Sequence, residues 1–147
     1  MDSGTTAYLW GIWGTNSSDV FAVGWSPYGG VVGIILHYNG TAWIEMDRFP
    51  DISLTAVWGN SSDDVFALGE RIILHYDGTA WTEMAPGLAP ILYDIWGSSS
   101  DDVFAVGWDG AILHYNGSVW TPMESGTARA LLGVWGSSSS DVFAVGD

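Results

Sequence analysis

Three histidines are the residues whose type and repetition most readily suggest chemistry in this chain. Each stands between Ile-Leu and Tyr in a recurring run, and they are His37, His75 and His114. Three neutral imidazoles form a ligand set that binds zinc. However, each histidine occupies the same place in a different repeat, on a strand about 10 Å from the innermost strand of its own sheet. We therefore expect structural hydrogen bonds from these residues and predict no metal site and no cofactor.

Carboxylates among serines form a second recurring group, of a kind that can bind calcium. The group comprises Asp19, Asp63-Asp64, Asp101-Asp102 and Asp141. Aspartate and serine side chains also bond to nearby backbone amides in turns, and this group recurs at the same connection in every repeat. We interpret it as turn chemistry, with calcium binding as the alternative.

The charge balance excludes two classes of partner. Seventeen acidic residues face three arginines and no lysine, so the formal charge is −14. Nucleic acids and anionic membranes both require clustered cations, and we expect neither as a partner. The chain lacks cysteine, an apolar run of 18 residues and the pattern of a signal peptide. The sequence does not indicate the cellular compartment.

The histidines and aspartates belong to one phrase that occurs four times. It reads Trp-Gly, four polar residues, then Asp-Val-Phe-Ala-x-Gly, and it begins at Trp13, Trp58, Trp96 and Trp135. A period of 38 to 45 residues indicates one supersecondary unit stacked on copies of itself.

Each repeat contains four short segments that we predict to be strands A, B, C and D. Strand A ends in the phrase's tryptophan, strand B is Val-Phe-Ala-x-Gly, strand C is Ile-Leu-His-Tyr, and strand D runs from a second tryptophan to a methionine. Asn39-Gly40 and its counterparts predict two-residue hairpins with positive φ at both positions. Pro122 predicts that strand D is the outer edge. Strands B and C are apolar on both faces, which favours an all-β propeller of four-stranded antiparallel blades over a β-sandwich.

The run from Trp96, Trp-Gly-Ser-Ser-Ser-Asp-Asp-Val-Phe-Ala-Val-Gly followed by Ile-Leu-His-Tyr-Asn-Gly, resembles bacterial propeller blades of the Asp-box and photosystem-II-assembly-factor-like type. The resemblance covers essentially the whole chain and implies the propeller fold. Gly78 and Trp81 keep the Gly-x-x-Trp spacing of an Asp-box, but Asp77 stands one residue closer to the glycine than usual. Such propellers include lectins, sialidases and assembly scaffolds, so the resemblance leaves the activity open.

A sialidase would require an arginine triad, a Tyr–Glu nucleophile pair and an acid. Arg48, Arg71 and Arg129 are present, but none lies in a recognisable motif, and no Tyr–Glu pair can be assigned. No activated nucleophile or phosphate-binding loop is recognisable. We therefore predict that the protein is not an enzyme.

The repeats predict a single propeller segment, 1–147, of about 3.5 blades. Met1 precedes Trp13 by twelve residues, as Met46, Met84 and Met123 precede their tryptophans. The blades are expected at about 8–46, 53–84 and 91–123, with a half blade at about 130–147. An open arc would leave apolar faces exposed. We expect two chains to join head to tail into a ring, with a fragment of a longer array as the alternative.

The loops divide between two ends of such a meander. A–B and C–D loops leave one end, and B–C and D–A loops leave the other. From the strand B glycine to the histidine the spacing is 13, 6 and 7 residues in successive repeats, so the B–C loops carry the length variation. Aromatic residues outside the repeat pattern and the arginines fall at the same end. We predict a ligand site there, and its residues are Trp25, Tyr28 and Trp108 as stacking surfaces and Glu70, Arg71 and Asp109 as polar partners.

Asp94 is a further candidate, because its counterparts on strand A are Gly11, Ala56 and Gly133. We expect its carboxylate to line the central channel. The favoured function is a non-enzymatic binding module for a glycan or a peptide, which also binds itself. The alternatives are a protein-interaction or assembly scaffold and an amplified repeat fragment without a small-molecule ligand.

Overall fold

The computed structural model describes residues 4–84 and 90–147. In these ranges the chain forms fourteen β-strands and one short 3-10 turn, Trp108–Gly110. The strands are β1 (Tyr8–Asn16), β2 (Asp19–Ser26), β3 (Val32–Tyr38), β4 (Trp43–Pro50), β5 (Leu54–Ser61), β6 (Asp64–Gly69), β7 (Ile72–Tyr76), β8 (Trp81–Met84), β9 (Leu92–Ser99), β10 (Asp102–Gly107), β11 (Ile112–Tyr115), β12 (Trp120–Met123), β13 (Leu131–Ser138) and β14 (Asp141–Gly146). Met1, whose spacing from Trp13 matches that of the later methionines from their tryptophans, lies outside the described residues.

Each strand pairs antiparallel with its neighbour in sequence inside one sheet. Three sheets have four strands, β1–β4, β5–β8 and β9–β12, and the fourth has two, β13–β14. The first strands pack against one another from sheet to sheet, β1 on β5, β5 on β9 and β9 on β13. The sheets therefore radiate as blades from a hub of first strands, which confirms the all-β propeller with three blades and a half blade. Pro122 lies in the outer strand of blade 3, as its missing N–H predicted.

In blade 2 both faces of the central strands are buried between neighbouring blades, because Ala67 clusters with residues of blade 1 and Phe66 with residues of blade 3. Phe21 in β2 packs with residues of blade 2, whereas Ala22 belongs to a separate cluster on the opposite face. Between blades 2 and 3, Phe66 shares a cluster with Leu113 and Trp120. Because burying one large apolar side chain contributes about 1.5–3 kcal/mol, these contacts make each blade depend on its neighbours.

A tryptophan in strand A packs on a glycine of the next blade. Trp13 lies over Gly59, Trp58 over Gly97 and Trp96 over Gly136. A Cβ atom built on any of these glycines would stand only 2.5–2.6 Å from a ring carbon. The Trp-Gly dipeptide of each repeat is therefore one interface: the ring covers the following blade, and the glycine accepts the ring of the preceding blade. We call this the Trp–Gly contact.

The strand C to strand D turns differ from the prediction. The connection 39–42 has four residues, and Gly40 has positive φ (91°), whereas Asn39 does not. The Asn39 side-chain oxygen accepts the backbone N–H groups of Thr41 and Ala42 at 3.0 and 3.1 Å. The predicted two-residue turn is wrong because this side chain bonds the following amides and holds a wider loop.

Candidate functional site

The two ends of the blades are separate surfaces, as the meander requires. At one end the A–B and C–D loops are in contact. In blade 2, a Cβ built on Gly78 of the C–D loop would lie 2.8 Å from the Cβ of Asp63 in the A–B loop. At the other end the B–C and D–A loops meet: Glu70 donates its backbone N–H to the Ser53 carbonyl at 3.2 Å. We call the first end the repeat face and the second the variable face.

The histidines of the repeat face bond to aspartates of their own sheet. Their Nε2 atoms lie 2.7, 2.7 and 2.8 Å from carboxylate oxygens in the pairs His37–Asp19, His75–Asp64 and His114–Asp102. Each imidazole also lies over a strand B phenylalanine, with ring centroids 4.5 Å apart in all three blades. The imidazoles therefore hold strand B to strand C within each blade.

The turn interpretation of the aspartates needs a correction. The residue that opens strand B, such as Asp102, binds a histidine instead of the amides of its own turn. The reason is the two-residue period of a strand, which puts Asp102 and Phe104 on the same face, while His114 pairs with Phe104 on strand C. In the Asp63-Asp64 pair the first carboxylate accepts the Ser61 hydroxyl at 2.6 Å, which is the local turn bond.

Two carboxylates of the repeat face have lowered pKa values. Burial raises the pKa of Asp19, but hydrogen bonds from the Thr15 hydroxyl and from His37, with the charge of His37, outweigh burial and lower it. The pKa of Asp77 falls to about 2, because the Thr79 hydroxyl and the backbone N–H groups of Ala80 and Thr79 all donate to this exposed carboxylate. Both groups stay ionised well into the acid range.

Three of the predicted site residues converge on one stretch of the variable face. Arg71 donates its backbone N–H to the Pro90 carbonyl at 3.2 Å, and Trp108 donates its own to the Ile91 carbonyl at 2.9 Å. Glu70 forms an isolated antiparallel β-bridge, through its backbone, with Ile91. The side chains of Glu70 and Arg71 are exposed, and 58% of Trp108 is accessible to solvent. We call Glu70, Arg71 and Trp108 the Ile91 cluster; it joins blades 2 and 3.

A groove of about 490 Å³ lies beside the 3-10 turn that follows Trp108. Asp109 and Gly110 form one wall, and the connection 124–128 forms another. Both wall residues have positive φ (56° and 69°), and a Cβ on Gly110 would meet the Thr127 carbonyl at 2.0 Å. Only glycine permits this approach. Sequence reasoning missed Thr127, because D–A connections differ between repeats and only the fold brings this one against the 3-10 turn.

Blade 1 departs from the predicted strand ends. The prediction that Trp25 stands in the loop after strand B is wrong, because β2 continues through it to Ser26. Trp25 pairs with Tyr8 on β1 and with Gly33 on β3. The extra residues of the first repeat lengthen the hairpin and leave the short connection 27–31.

The aromatic residues of blade 1 form a second group on the variable face. The rings of Tyr8 and Trp25 lie 5.2 Å apart, so Trp25 is partly covered by its neighbour. Tyr28 stands in the connection 27–31 with 70% of its surface exposed. The structure thus places Trp25 and Tyr28 on blade 1, while the Ile91 cluster belongs to blades 2 and 3.

Asp94 links two blades at the hub. It lies on β9, and its Oδ2 atom accepts the backbone N–H of Val134 on β13 at 2.9 Å. The carboxylate therefore has a structural partner on the next inner strand. One oxygen of the carboxylate that we expect to line the channel is thus engaged by the neighbouring blade.

Arg48 differs from Arg71 in its surroundings. It lies in β4, which runs four residues past Met46, and its guanidinium forms an ion pair with Glu45. The hydrogen bond and the charge of Glu45 raise the pKa of Arg48. Arg48 therefore belongs to an outer strand of blade 1 and not to a loop of the variable face, where the sequence pattern had placed it.

Among the described residues, no group of three histidine, cysteine, aspartate or glutamate side chains is arranged to hold a metal ion. None of the helical segments there has the length and apolar character needed to cross a bilayer.

Comparison of this chain with known proteins supports its fold. No protein-family model matches the sequence, and no curated protein matches it. Among solved structures, the chain is similar to one described as YCF48 bound to D1 peptide, with a TM-score of 0.65 and 18% identity. The match covers 88% of this chain and 45% of that chain, so the present sequence spans less than half of it. At this identity the similarity supports the β-propeller fold and leaves the activity to the site itself.

Proposed function

We propose that the protein is a non-enzymatic β-propeller module that binds a peptide on its variable face. One observation carries this proposal: the exposed aromatic residues Tyr28 and Trp108 lie on B–C connections, whereas the repeat face presents the same bonded Asp–His arrangement in blades 1 to 3. Histidine is the commonest catalytic base. Here the same arrangement, an imidazole bonded to an aspartate and lying over a phenylalanine, recurs at one place in blades 1 to 3, as expected for a part of the repeat's framework, which supports a non-enzymatic role.

Charge favours a cationic peptide as the ligand. The chain carries a formal charge of −14, and Glu70 and Asp109 are exposed on the variable face. Such a field attracts lysine- and arginine-bearing segments and raises their association rate. Trp108 beside these carboxylates offers a flat surface for apolar or cationic side chains. The similar solved structure is described as a peptide complex, which agrees with this class of ligand.

A glycan is the second candidate, favoured by the exposure of Trp108 and Tyr28, because aromatic faces stack on sugar rings. The resemblance of the blades to Asp-box propellers supports this candidate too, since that group includes lectins.

The test is a peptide array of basic and aromatic sequences, run in parallel with a glycan array on the same labelled chain. We expect selective peptide binding that Trp108→Ala and Glu70→Ala weaken. Glu83→Ala is the matched control, because it removes an exposed glutamate from the outer strand of blade 2 without touching the Ile91 cluster. Binding that all three variants weaken equally would refute the assigned face, and selective glycan binding would replace the peptide proposal.

We further propose that the chain associates with a second copy, head to tail. Trp135, the counterpart of the three packed tryptophans, is 60% exposed. Gly14, the counterpart of the three covered glycines, has only atoms of its own hairpin nearest to it. The Trp–Gly contact is thus unmet at both ends, and Trp135 of one protomer fits over Gly14 of its partner. Exposed apolar side chains at the ends, such as Ile12 and Phe143, add to the drive for association.

A further inference from the structure

Three residues other than glycine have positive φ in the described part of the chain, and all three lie on the variable face. They are Asp51 (59°) in the connection between β4 and β5, Arg71 (61°) and Asp109 (56°). On the repeat face, the described positions with positive φ are all glycines, namely Gly40, Gly78 and Gly117. A Cβ atom disfavours this conformation, and such strain collects at functional sites. The variable face therefore keeps side chains where glycine would fit more easily.

The backbone around Asp109 is fixed on both sides, while its side chain is left without a partner. Trp108 donates its N–H to the Ile91 carbonyl at 2.9 Å, and Ala111 donates its own to the Trp108 carbonyl at 3.1 Å. The next residue, Gly110, is buried. The Asp109 side chain is exposed, and no described residue forms a hydrogen bond or an ion pair with it. Its carboxylate is therefore held in place by the turn and stays available to a ligand.

The groove of about 490 Å³ that Asp109 borders combines apolar walls with negative charge. Its apolar lining includes Pro90 and Pro122, and its charged side chains are those of Asp109 and Glu124. Arg129 follows in the same connection but does not line the groove. All the lining residues belong to blade 3 and to the connections that enter and leave it.

This combination suits a lysine or arginine side chain. Its methylene stem packs on apolar walls while its cationic end reaches a carboxylate. The formal charge of −14 on the chain attracts such a group to the groove.

We propose that the groove receives one lysine or arginine side chain of the bound peptide and that Asp109 is the residue that selects it. The inference rests on the proposed function, because it concerns the same peptide on the same face. Trp108 precedes Asp109 and offers its ring to a neighbouring residue of the peptide. A carboxylate fixed on a rigid turn is preorganised, so less ordering of side chains accompanies binding.

Asp51 is the matched control for Asp109. Both are exposed aspartates on the variable face with nearly the same φ. Asp51 donates its backbone N–H to the Val31 carbonyl of blade 1 at 2.8 Å, and it does not line the groove. Asparagine has nearly the same shape and also tolerates positive φ. Replacing either aspartate with asparagine therefore removes one charge from the same face and keeps the backbone, so only the position differs.

The probe is the basic peptide that the array selects, made in versions whose lysines and arginines are replaced one at a time with norleucine. By fluorescence anisotropy, we expect Asp109→Asn to weaken binding of the unmodified peptide about fivefold and Asp51→Asn to weaken it less than about twofold. One norleucine version should bind the wild type about fivefold more weakly than the unmodified peptide does. The same replacement should have little effect on binding to Asp109→Asn, because both changes remove one contact.

The strain gives a second readout, which a purely structural role for Asp109 would reverse. Asp109→Gly places a residue without a Cβ at the position of positive φ. We expect its Tm to lie no more than about 2 °C below that of the wild type, because relief of the strain offsets the greater freedom of glycine in the unfolded chain. Its affinity for the peptide should fall as far as that of Asp109→Asn.

Three results would overturn this inference alone, provided that Trp108→Ala still weakens peptide binding. The first is an equal effect of Asp109→Asn and Asp51→Asn. The second is that every norleucine replacement keeps its full effect on binding to Asp109→Asn. The third is a larger fall in the Tm of Asp109→Gly than the expected limit, which would assign Asp109 to the fold. A wild-type chain that binds no peptide would overturn the proposed function and this inference together.

Discussion

The Asp–His pairs make a prediction that the chain can test against its own half blade. Asp102 and Asp141 open strand B in blade 3 and in the half blade, and each accepts a serine hydroxyl, at 2.5 and 2.6 Å. Only Asp102 also binds a histidine, His114, at 2.8 Å. Replacing each aspartate with alanine therefore removes the same local bond, and the difference between the two variants measures the bond to histidine.

The magnitude follows from the exposure of the pair. A hydrogen bond to a charged group contributes about 1.5–3 kcal/mol. The side chains of His114 and Asp102 are 28% and 18% exposed, so the lower half of that range applies. We expect Asp102→Ala to lower the free energy of unfolding by about 1.5–2 kcal/mol. Asp141→Ala is expected to lower it by less than about 0.5 kcal/mol, as at other surface positions.

The assay is thermal unfolding at pH 7 by calorimetry, with all variants at one protein concentration, because association would make the Tm concentration-dependent. For a chain of this size, Asp102→Ala should lower the Tm by about 3–8 °C. The double variant Asp102→Ala/His114→Ala should lose little more than Asp102→Ala apart from the packing of the ring on Phe104. Equal losses for Asp102→Ala and Asp141→Ala would refute the assignment of the histidine as the stabilising partner.

Three other predictions follow from the packing, the charges and the variable face. Gly97→Ala forces a Cβ to 2.5 Å from the Trp58 ring and should lower the free energy of unfolding, measured by chemical denaturation, by about 1–3 kcal/mol. Gly133→Ala is the mild control, because the nearest atom to its Cβ would lie at 3.4 Å. Equal losses for the two variants would exclude the Trp–Gly contact. The pKa of Asp77 is lowered to about 2 in the fold, so its ionised carboxylate stabilises the folded state. This stabilisation is complete above the ordinary pKa of 3.8 and is lost as the pH falls toward 2. As the pH falls from 5 to 2, the Tm of Asp77→Asn measured by calorimetry should therefore rise relative to the Tm of the wild type. A difference between the two Tm values that stays constant over this pH range would contradict the prediction. Peptides selected by the wild type should bind Glu70→Ala at least about fivefold more weakly than Glu83→Ala by fluorescence anisotropy, and equal affinities would count against the Ile91 cluster.

The sequence predicted the architecture because its repeats keep one phase. The phrase that begins at Trp13 returns often enough to define strands, blades and the parity of the loops, and each of these depends only on order along the chain. The outer position of Pro122 follows from a local property, its missing N–H. Strand identity, blade number and the two faces were therefore accessible before any contact was known.

Features that depend on register were not accessible. The bond between Asp102 and His114 needs the pairing of two strands, and the bond between Asp94 and Val134 needs the packing of two blades. Trp25 was placed in a loop because its repeat has extra residues, and a sequence does not reveal whether extra residues lengthen a strand or a connection. The groove beside Asp109 was missed for the same reason as the Asp94 bond: it is formed by segments brought together only in the fold.

Trp135 is exposed, and we propose that it packs on Gly14 of a second copy and so drives association. The mass in solution, measured by light scattering after size exclusion at a protein concentration of about 50 µM, tests this proposal. We expect twice the chain mass of 15.8 kDa for the wild type and a monomer for Trp135→Ala. A wild-type chain that stays at 15.8 kDa, or a Trp135→Ala variant that keeps the doubled mass, would contradict it.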